Sequence, residues 1–224
     1  MAAFLFPIFV MMIWLTEQLK FPAPETTSEE GVIALGGDLS EERLLLAYQN
    51  GIFPWFSKGE PIVWYCPSER MVLFPEELKV STSMQKIIKK GNFTITENKA
   101  FSEVIFNCKH ILRKDDFGTW ITDDMEIAYV NLHKKGFAKS IEVWIYDTVS
   151  KKQILVGGLY GVDVGNGIFC GESMFSLVSN ASKLAFIHLV QHHNYKLIDC
   201  QVYNDHLSSL GAREISRNEF LKML

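Results

Sequence analysis

Apolar residues recur at a helical period in some stretches of this chain and alternate, or run together, in others. From about Glu41 to Asn50 the pattern predicts a helix. Ser40 is placed to cap it, Glu41 and Glu42 suit its first turn, Leu39 and Leu44 have hydrophobic-staple spacing, and Asn50-Gly51 ends it. A short basic helix is predicted over Ser83 to Lys90, and Phe101, Val104, Ile105, Cys108 and Ile111 recur at helical spacing. Asp115 to Gly118 reads as a loop, after which Thr122 can cap a helix that runs to Lys135 and stops at Gly136. The period then shortens. Ser140 to Tyr146 alternates as a strand, and Ile154 to Val162 and Ile168 to Glu172 read as two more, joined by the glycine turn near Gly165 and Gly167. A helix over Asn180 to His193, a buried strand over Lys196 to Val202 and a last helix over Asp205 to Leu210, ended by Gly211, complete the series. Helices and strands alternate without strict βαβ regularity, which predicts an α+β class with a mixed sheet.

Toward the N-terminus, Lys20 to Pro24 reads as an extended segment and Gly36-Gly37-Asp38 as a turn. Pro54 and Pro61 punctuate an aromatic loop holding Phe53, Trp55, Phe56, Trp64 and Tyr65. A boundary near residues 66–72 divides the chain into an N-terminal domain, 1–70, and a larger one, 71–224. Met1 to Leu15 is almost wholly apolar, but no Lys or Arg precedes it and no small-x-small cleavage site follows it, against a signal peptide. It is short for a membrane span and broken by Pro7. Translation from Met11 or Met12, with residues 1–11 an extraneous leader, is the expected account.

Composition narrows the class. A chain of 224 residues that is 48% apolar can bury a sizeable core. The net charge of -4 disfavours nucleic acid as a partner only weakly, because phosphate binding needs a local basic patch. Cys66, Cys108, Cys170 and Cys200 form no C-x-x-C pair, which speaks against zinc and suits reduced thiols in a cytosolic protein. The histidines show no metal-ligand spacing, and there is no P-loop or dinucleotide fingerprint.

The strand around Leu197-Ile198-Asp199-Cys200-Gln201 is the most informative feature. Alternation puts Asp199 and Gln201 on one face, with Ile198 and Cys200 on the other. Asp and Gln are poor strand residues, and a buried carboxylate is costly unless paired. The pair is either a hydrogen-bonded anchor or part of a site. Glu172 ends an earlier strand among large apolar groups, suited to an ion pair or to an incoming amine. Phe169, Met174 and Phe175 can line a pocket or simply pack a core. Ser173 and Ser176 lack nucleophile-elbow spacing. Lys86, Lys89 and Lys90 share a helix face, and Lys109, Arg113 and Lys114 follow later; both groups suit phosphates or plain solvent. Trp55 and Trp120 beside turns could stack a base or pack inward.

Several segments, taken together and in order, resemble the leucyl/phenylalanyl-tRNA–protein transferases. They are Ala34 to Ser40, Gly51 to Phe56, Gly118 to Ile121, Gly157 to Val162, Gly171 to Ser176, Asn180 to Lys183, Leu197 to Gln201 and Ser209 to Ala212. The resemblance implies a small N-terminal α/β domain followed by a domain similar to the GCN5-related acetyltransferases. It implies a cytoplasmic, monomeric enzyme that needs no cofactor or metal. The implied reaction moves Leu or Phe, and Met less well, from aminoacyl-tRNA to proteins with N-terminal Lys or Arg, marking them for the N-degron pathway.

Site residues carry over position by position. Asp199 acting through Gln201 would prepare the attacking amine, as a base or as a positioning group, and Glu172 would hold an amine or the ribose end. Leu159, Phe169, Met174, Phe186, Leu189 and Ile198 would form the side-chain pocket. Trp55 and Trp120 would meet the terminal adenosine, and Lys86, Lys89 and Lys90 the tRNA body. Ile198 is awkward, because alternation points it away from Asp199 unless the strand is twisted or lined on both faces. Thr82 and Tyr65-Cys66 depart from the family pattern, where Arg and Trp-Ser occur. Two rival activities remain at this point: an acetyl-CoA-dependent acyltransferase, which the absence of a Q/R-x-x-G-x-G/A loop before Ser179-Asn180-Ala181-Ser182 disfavours, and a non-catalytic tRNA-binding protein.

Overall fold

The computed structural model of the chain describes residues 13–27, 30–111 and 119–224. The apolar leader, the predicted loop from Asp115 to Gly118, and Arg113 and Lys114 lie outside the described residues.

Two mixed sheets give an α+β architecture, as the alternation of patterns predicts. The first is built by β1 (Trp14–Leu15), β2 (Val32–Gly36), β3 (Phe53–Pro54) and β4 (Val63–Tyr65), with helix α1 (Glu41–Gln49) between β2 and β3. Its order is β1-β2-β4-β3, and only β1 and β2 run parallel. Helix α1 starts where its cap predicts: the Ser40 hydroxyl accepts the backbone N–H of Arg43. Gly36 and Gly37 take φ of 71° and 75°, so the turn after β2 uses the left-handed region that glycine tolerates.

The second sheet has seven strands. In chain order its parts are β5 (Glu69–Leu73), α2 (Thr82–Lys90), β6 (Thr94–Glu97), α3 (Phe101–His110), α4 (Asp123–Lys134), β7 (Ala138–Asp147), β8 (Lys152–Gly165), β9 (Ile168–Ser176), α5 (Ala181–His192), β10 (Leu197–Gln201), α6 (Asp205–Ser208), β11 (Arg213–Ser216) and α7 (Arg217–Leu221). The order is β11-β5-β10-β9-β8-β7-β6. Only β9 and β10 are parallel neighbours, and α5 makes the crossover between them.

Alternation along the strands feeds two hydrophobic layers. Val72, Tyr160, Cys170 and Leu197 point to a layer shared with α1, α3, α4 and Phe220 of α7. Met71, Leu73, Phe169, Ile198 and Cys200 point to the other, shared with α5 and Met84 of α2. Ile33 and Trp64 of the small sheet belong to the first layer, so residues on both sides of 66–72 share one core. Ala100 gives α3 no side-chain cap, and the buried carboxylate of Glu142 on β7 instead ties down the backbone that leads into the helix. Glu142 accepts the backbone N–H of Lys99 and Ala100 and the hydroxyls of Thr96 and Ser140.

Candidate active site

Strands β9 and β10 pair side by side only from Ile168 to Cys170 and from Leu197 to Asp199. Beyond those residues they part company, and a cavity of about 490 Å³ opens between Gly171–Ser176 of one and Cys200–Val202 of the other. This is the C-terminal edge of a parallel pair, where α/β sheets commonly hold ligands. Close packing at the base needs Gly161. A Cβ there would lie 2.2 Å from the Cys170 carbonyl oxygen and 2.6 Å from the Phe169 ring. A side chain at 161 would therefore push Phe169 out of the cavity wall.

The departure of β10 from regular pairing overturns the simple alternation expected for it. Asp199 faces Val72 and Gln201 faces Met71, its immediate neighbour, so Cys200-Gln201 forms a bulge. Gln201 sits at φ 63°, a conformation that costs a non-glycine residue about 1–3 kcal/mol. The Asp199 carboxylate offsets that strain by accepting the Gln201 backbone N–H at 2.9 Å, the local two-residue bond that Asp side chains favour. The bulge also resolves the awkward position of Ile198. Ile198, Asp199, Cys200 and Gln201 all line the same cavity.

Two carboxylates stand at the polar end. Asp199 is fully buried and makes a bidentate pair with Arg70 of β5, with Nε at 2.8 Å from Oδ1 and Nη2 at 2.6 Å from Oδ2. The guanidinium lies between the Phe53 and Phe220 rings, 4.7 and 4.6 Å from their centroids. Its third nitrogen, Nη1, is buried without a partner among the described residues. Among the described residues Glu172 has no such cation in contact. Its Oε1 accepts the Gln201 side-chain amide at 2.8 Å and its Oε2 accepts the Tyr129 hydroxyl at 3.0 Å. Tyr129 is in turn hydrogen-bonded to the hydroxyl of Tyr48. Burial raises the Glu172 carboxyl to about 7, against the tyrosine hydrogen bonds, which favour its charged form. Gln201 joins the two carboxylates, by its side chain to Glu172 and by its backbone to Asp199. Its carbonyl Oε1 has no protein partner among the described residues.

The apolar wall of the cavity is formed by Leu159, Phe169, Met174, Phe186, Leu189 and Ile198. Phe186 and Leu189 reach it from α5 at a spacing of three, one helix face. Trp55, 43% exposed and tilted against Tyr65, and half-buried Trp120 line it too.

Comparison with known sequences decides the family. The leucyl/phenylalanyl-tRNA protein transferase family matches residues 72–224, and its N-terminal domain matches residues 37–68. The chain belongs to this family. It is 57% identical over 216 residues to a leucyl/phenylalanyl-tRNA–protein transferase of Flavobacterium johnsoniae, covering 95% of this chain and 99% of that one. A relative of the same name from Nitrosospira multiformis is 50% identical over 219 residues, covering 96% of this chain and 91% of the relative. The chain is thus an aminoacyltransferase. Among solved structures, FemX is similar at a TM-score of 0.48 and 11% identity, over 79% of this chain and 66% of that one. A GCN5-related N-acetyltransferase from Kribbella flavida is similar at a TM-score of 0.36 and 8% identity, over 75% and 58%.

The enzyme brings Glu172, Asp199, Gln201, Trp55, Trp120 and the six predicted pocket residues to one cavity. Lys86, Lys89 and Lys90 are exposed on α2 and line none of it. Lys109 instead pairs with Asp123 and Glu126 at 2.5 and 2.7 Å, so its charge is locally answered. Sequence reasoning missed Arg70, Tyr48 and Tyr129. A buried Asp199 demands a cation, which was a signal for some arginine but not for which one. Nothing in the spacing linked the tyrosines to Glu172. Among the described residues no helix is long and apolar enough to cross a membrane.

Proposed function

We propose that the enzyme transfers Leu or Phe, and Met less well, from aminoacyl-tRNA to proteins that begin with Lys or Arg, marking them for N-degron degradation in the cytoplasm. The observation that carries this reading is the joining of an apolar cavity to the hydrogen-bonded series Glu172–Gln201–Asp199–Arg70. An aminoacyl ester is already activated, so the acceptor's neutral α-amine attacks its carbonyl carbon directly. The C–N bond forms, the ester C–O bond breaks, and the proton lost by nitrogen ends on the departing ribose oxygen. The protein has to aim the amine and handle that proton.

Gln201 is suited to aim it. Its amide N–H is held by Glu172 and its backbone by Asp199, which leaves Oε1 to accept an amine N–H. Asp199, locked to Arg70, suits the positioning role better than that of a base. Glu172, titrating near 7, suits temporary custody of the proton or the binding of an amine. Leu159, Phe169, Met174, Phe186, Leu189 and Ile198 would take the side chain. Such a pocket separates similar side chains by roughly 1–3 kcal/mol per methylene, hence graded preference. Trp55 and Trp120 would stack the terminal adenosine, and Lys86, Lys89 and Lys90 would meet the tRNA body. The enzyme would act as a monomer, in two parts, 1–70 and 71–224.

The test is transfer of labelled Leu or Phe from tRNA to a peptide that starts with Arg. Transfer is expected with that peptide and not with one starting with Gly. Turnover of acetyl-CoA with none of Phe-tRNA would overturn the proposal.

A further inference from the structure

Tyr48 and Tyr129 are fully buried hydroxyls that come from outside the strands of the site. Tyr48 is on α1 and Tyr129 on α4, and neither lines the cavity. Both sit in the apolar layer on the Arg70 and Asp199 side of the sheet. A buried hydroxyl normally needs a partner, and a phenylalanine would fill either space without one. These two find each other, and the pair then ends on Glu172. The direction of the bonds is set by the acceptor. Tyr129 gives its proton to the carboxylate, so the contact between the rings requires Tyr48 to donate to Tyr129. The donors therefore converge on Glu172, Tyr48 through Tyr129 from one side and the side-chain amide of Gln201 from the other.

We propose that Tyr48 and Tyr129 are positioning residues of the transfer reaction, which act together through Glu172 to hold its carboxylate, and with it Gln201, in the working state. The inference rests on the reading of Glu172 and Gln201 given above. The other groups that bear on Glu172 are Asp199 of β10, which repels its charge, and Arg70 of β5, which attracts it. Cys170 lies on the same strand and interacts electrostatically with Glu172, and the Tyr160 ring on β8 packs edge-on against Tyr129. None of these donates to Glu172. Among the described residues Tyr129 and Gln201 are the donors seen on its oxygens, and the Tyr48 hydroxyl adds to them in favouring its charged form.

Removing a donor from a carboxylate raises the pH at which it ionises. Tyr129→Phe should therefore move the acidic limb of the single-turnover rate–pH profile upward, by about one pH unit. Tyr48→Phe should move it the same way, because the Tyr48 hydroxyl also favours the charged form of Glu172, directly as well as through Tyr129. In a Glu172→Gln background neither change should move the profile. Tyr146→Phe, at an exposed position, serves as the neutral control. Carboxyl 13C resonances of Glu-labelled protein, with Glu172 assigned by its loss in Glu172→Gln, give the same titration without using activity. An unmoved Glu172 titration in both tyrosine variants overturns the inference, as does a rate lowered equally at every pH. If Tyr129→Phe fails to fold, Tyr48→Phe alone still decides. If the unaltered enzyme transfers no amino acid while the carboxyl shift is seen, the reaction assigned above is wrong and the tyrosine coupling stands.

Discussion

Asp199 and Glu172 are carboxylates of two adjacent strands, both buried, and both bonded to the same glutamine. Their surroundings differ in one respect. Asp199 touches a cation that is itself buried, whereas among the described residues Glu172 touches only neutral donors. In a region of low dielectric that difference separates their work. The paired carboxylate is held in place by the guanidinium as a fixed strut; burial pushes the other toward neutral pH, where it can exchange a proton. Sites that need one group to stay still and another to titrate are commonly built this way.

The most damaging way to break the comparison is to remove the cation. Arg70→Met should destabilise the enzyme by about 3–5 kcal/mol, because Asp199 is left as a buried unpaired charge. Urea unfolding at neutral pH measures it. Arg70→Met combined with Asp199→Leu should recover much of that stability, since apolar groups can replace a buried ion pair. Transfer should not return with it, because nothing then ties down the Gln201 backbone. A double variant that is both stable and active would show that Asp199 is not the strut.

Glu172 sharpens the other half of the comparison. Its carboxyl lies at about 7 in the folded chain against an ordinary value of 4.5. The folded state therefore holds a proton that the unfolded state has released between those limits. Stability should fall as pH rises from 4.5 to 7, by about 3 kcal/mol in all. In Glu172→Gln that part of the pH dependence should vanish. A slope unchanged in the variant would mean that another group titrates there.

How much of this could be read without coordinates depends on the range of the interactions. Helix α1 was legible because Ser40, the acidic first turn and Asn50-Gly51 act within a few residues. The long strands β8 and β9 were legible from local pattern, though β9 runs on to Ser176 past the expected end at Glu172. Strands β1 to β6 and β11 and helix α7 were not marked, and the aromatic loop expected from Phe53 to Tyr65 holds the short strands β3 and β4. Glu69-Arg70-Met71-Val72-Leu73 carries too brief an apolar run to tell a strand from a linker, and its place between β10 and β11 is fixed by partners over a hundred residues away. The site divides in the same manner. Its pocket residues and carboxylates came from ordered segments similar to a family. The bulge at Gln201 arises from pairing with β5, and alternation alone gave the wrong face. Tyr48 and Tyr129 sit on helix faces that look like ordinary core.

The bulge itself gives a smaller effect, readable as a contrast of two substitutions. Gln201→Ala removes the group proposed to aim the amine but keeps a side chain at positive φ; Gln201→Gly removes the same group and relieves the strain. Both should slow single-turnover transfer by roughly 10²-fold, the scale for removing one preorganised hydrogen-bonding group. Gln201→Gly should be the more stable of the two by about 1 kcal/mol in urea. Neither should weaken tRNA binding much. A glycine variant as active as the unaltered enzyme would assign the role to the backbone and not to the side chain.

The least effect on the chemistry is expected farthest from the two carboxylates, and that makes it the cleanest boundary. Lys86, Lys89 and Lys90 are exposed on α2, away from the cavity lining, with Ile88 also exposed beside them. If they meet tRNA phosphates, replacing all three with Ala weakens binding, and the fall of log affinity with log salt becomes shallower by about 0.7–0.9 for each phosphate no longer neutralised. At saturating tRNA the transfer rate and its pH profile should stay as they were, because neither Glu172 nor Asp199 feels screened surface charge at that remove. The two readouts answer different questions. An unchanged salt slope makes the three lysines a plain solvated face and leaves the site intact. A moved pH profile would mean that the helix reaches Glu172 electrostatically, and the contrast between one fixed and one titrating carboxylate would then have to include α2.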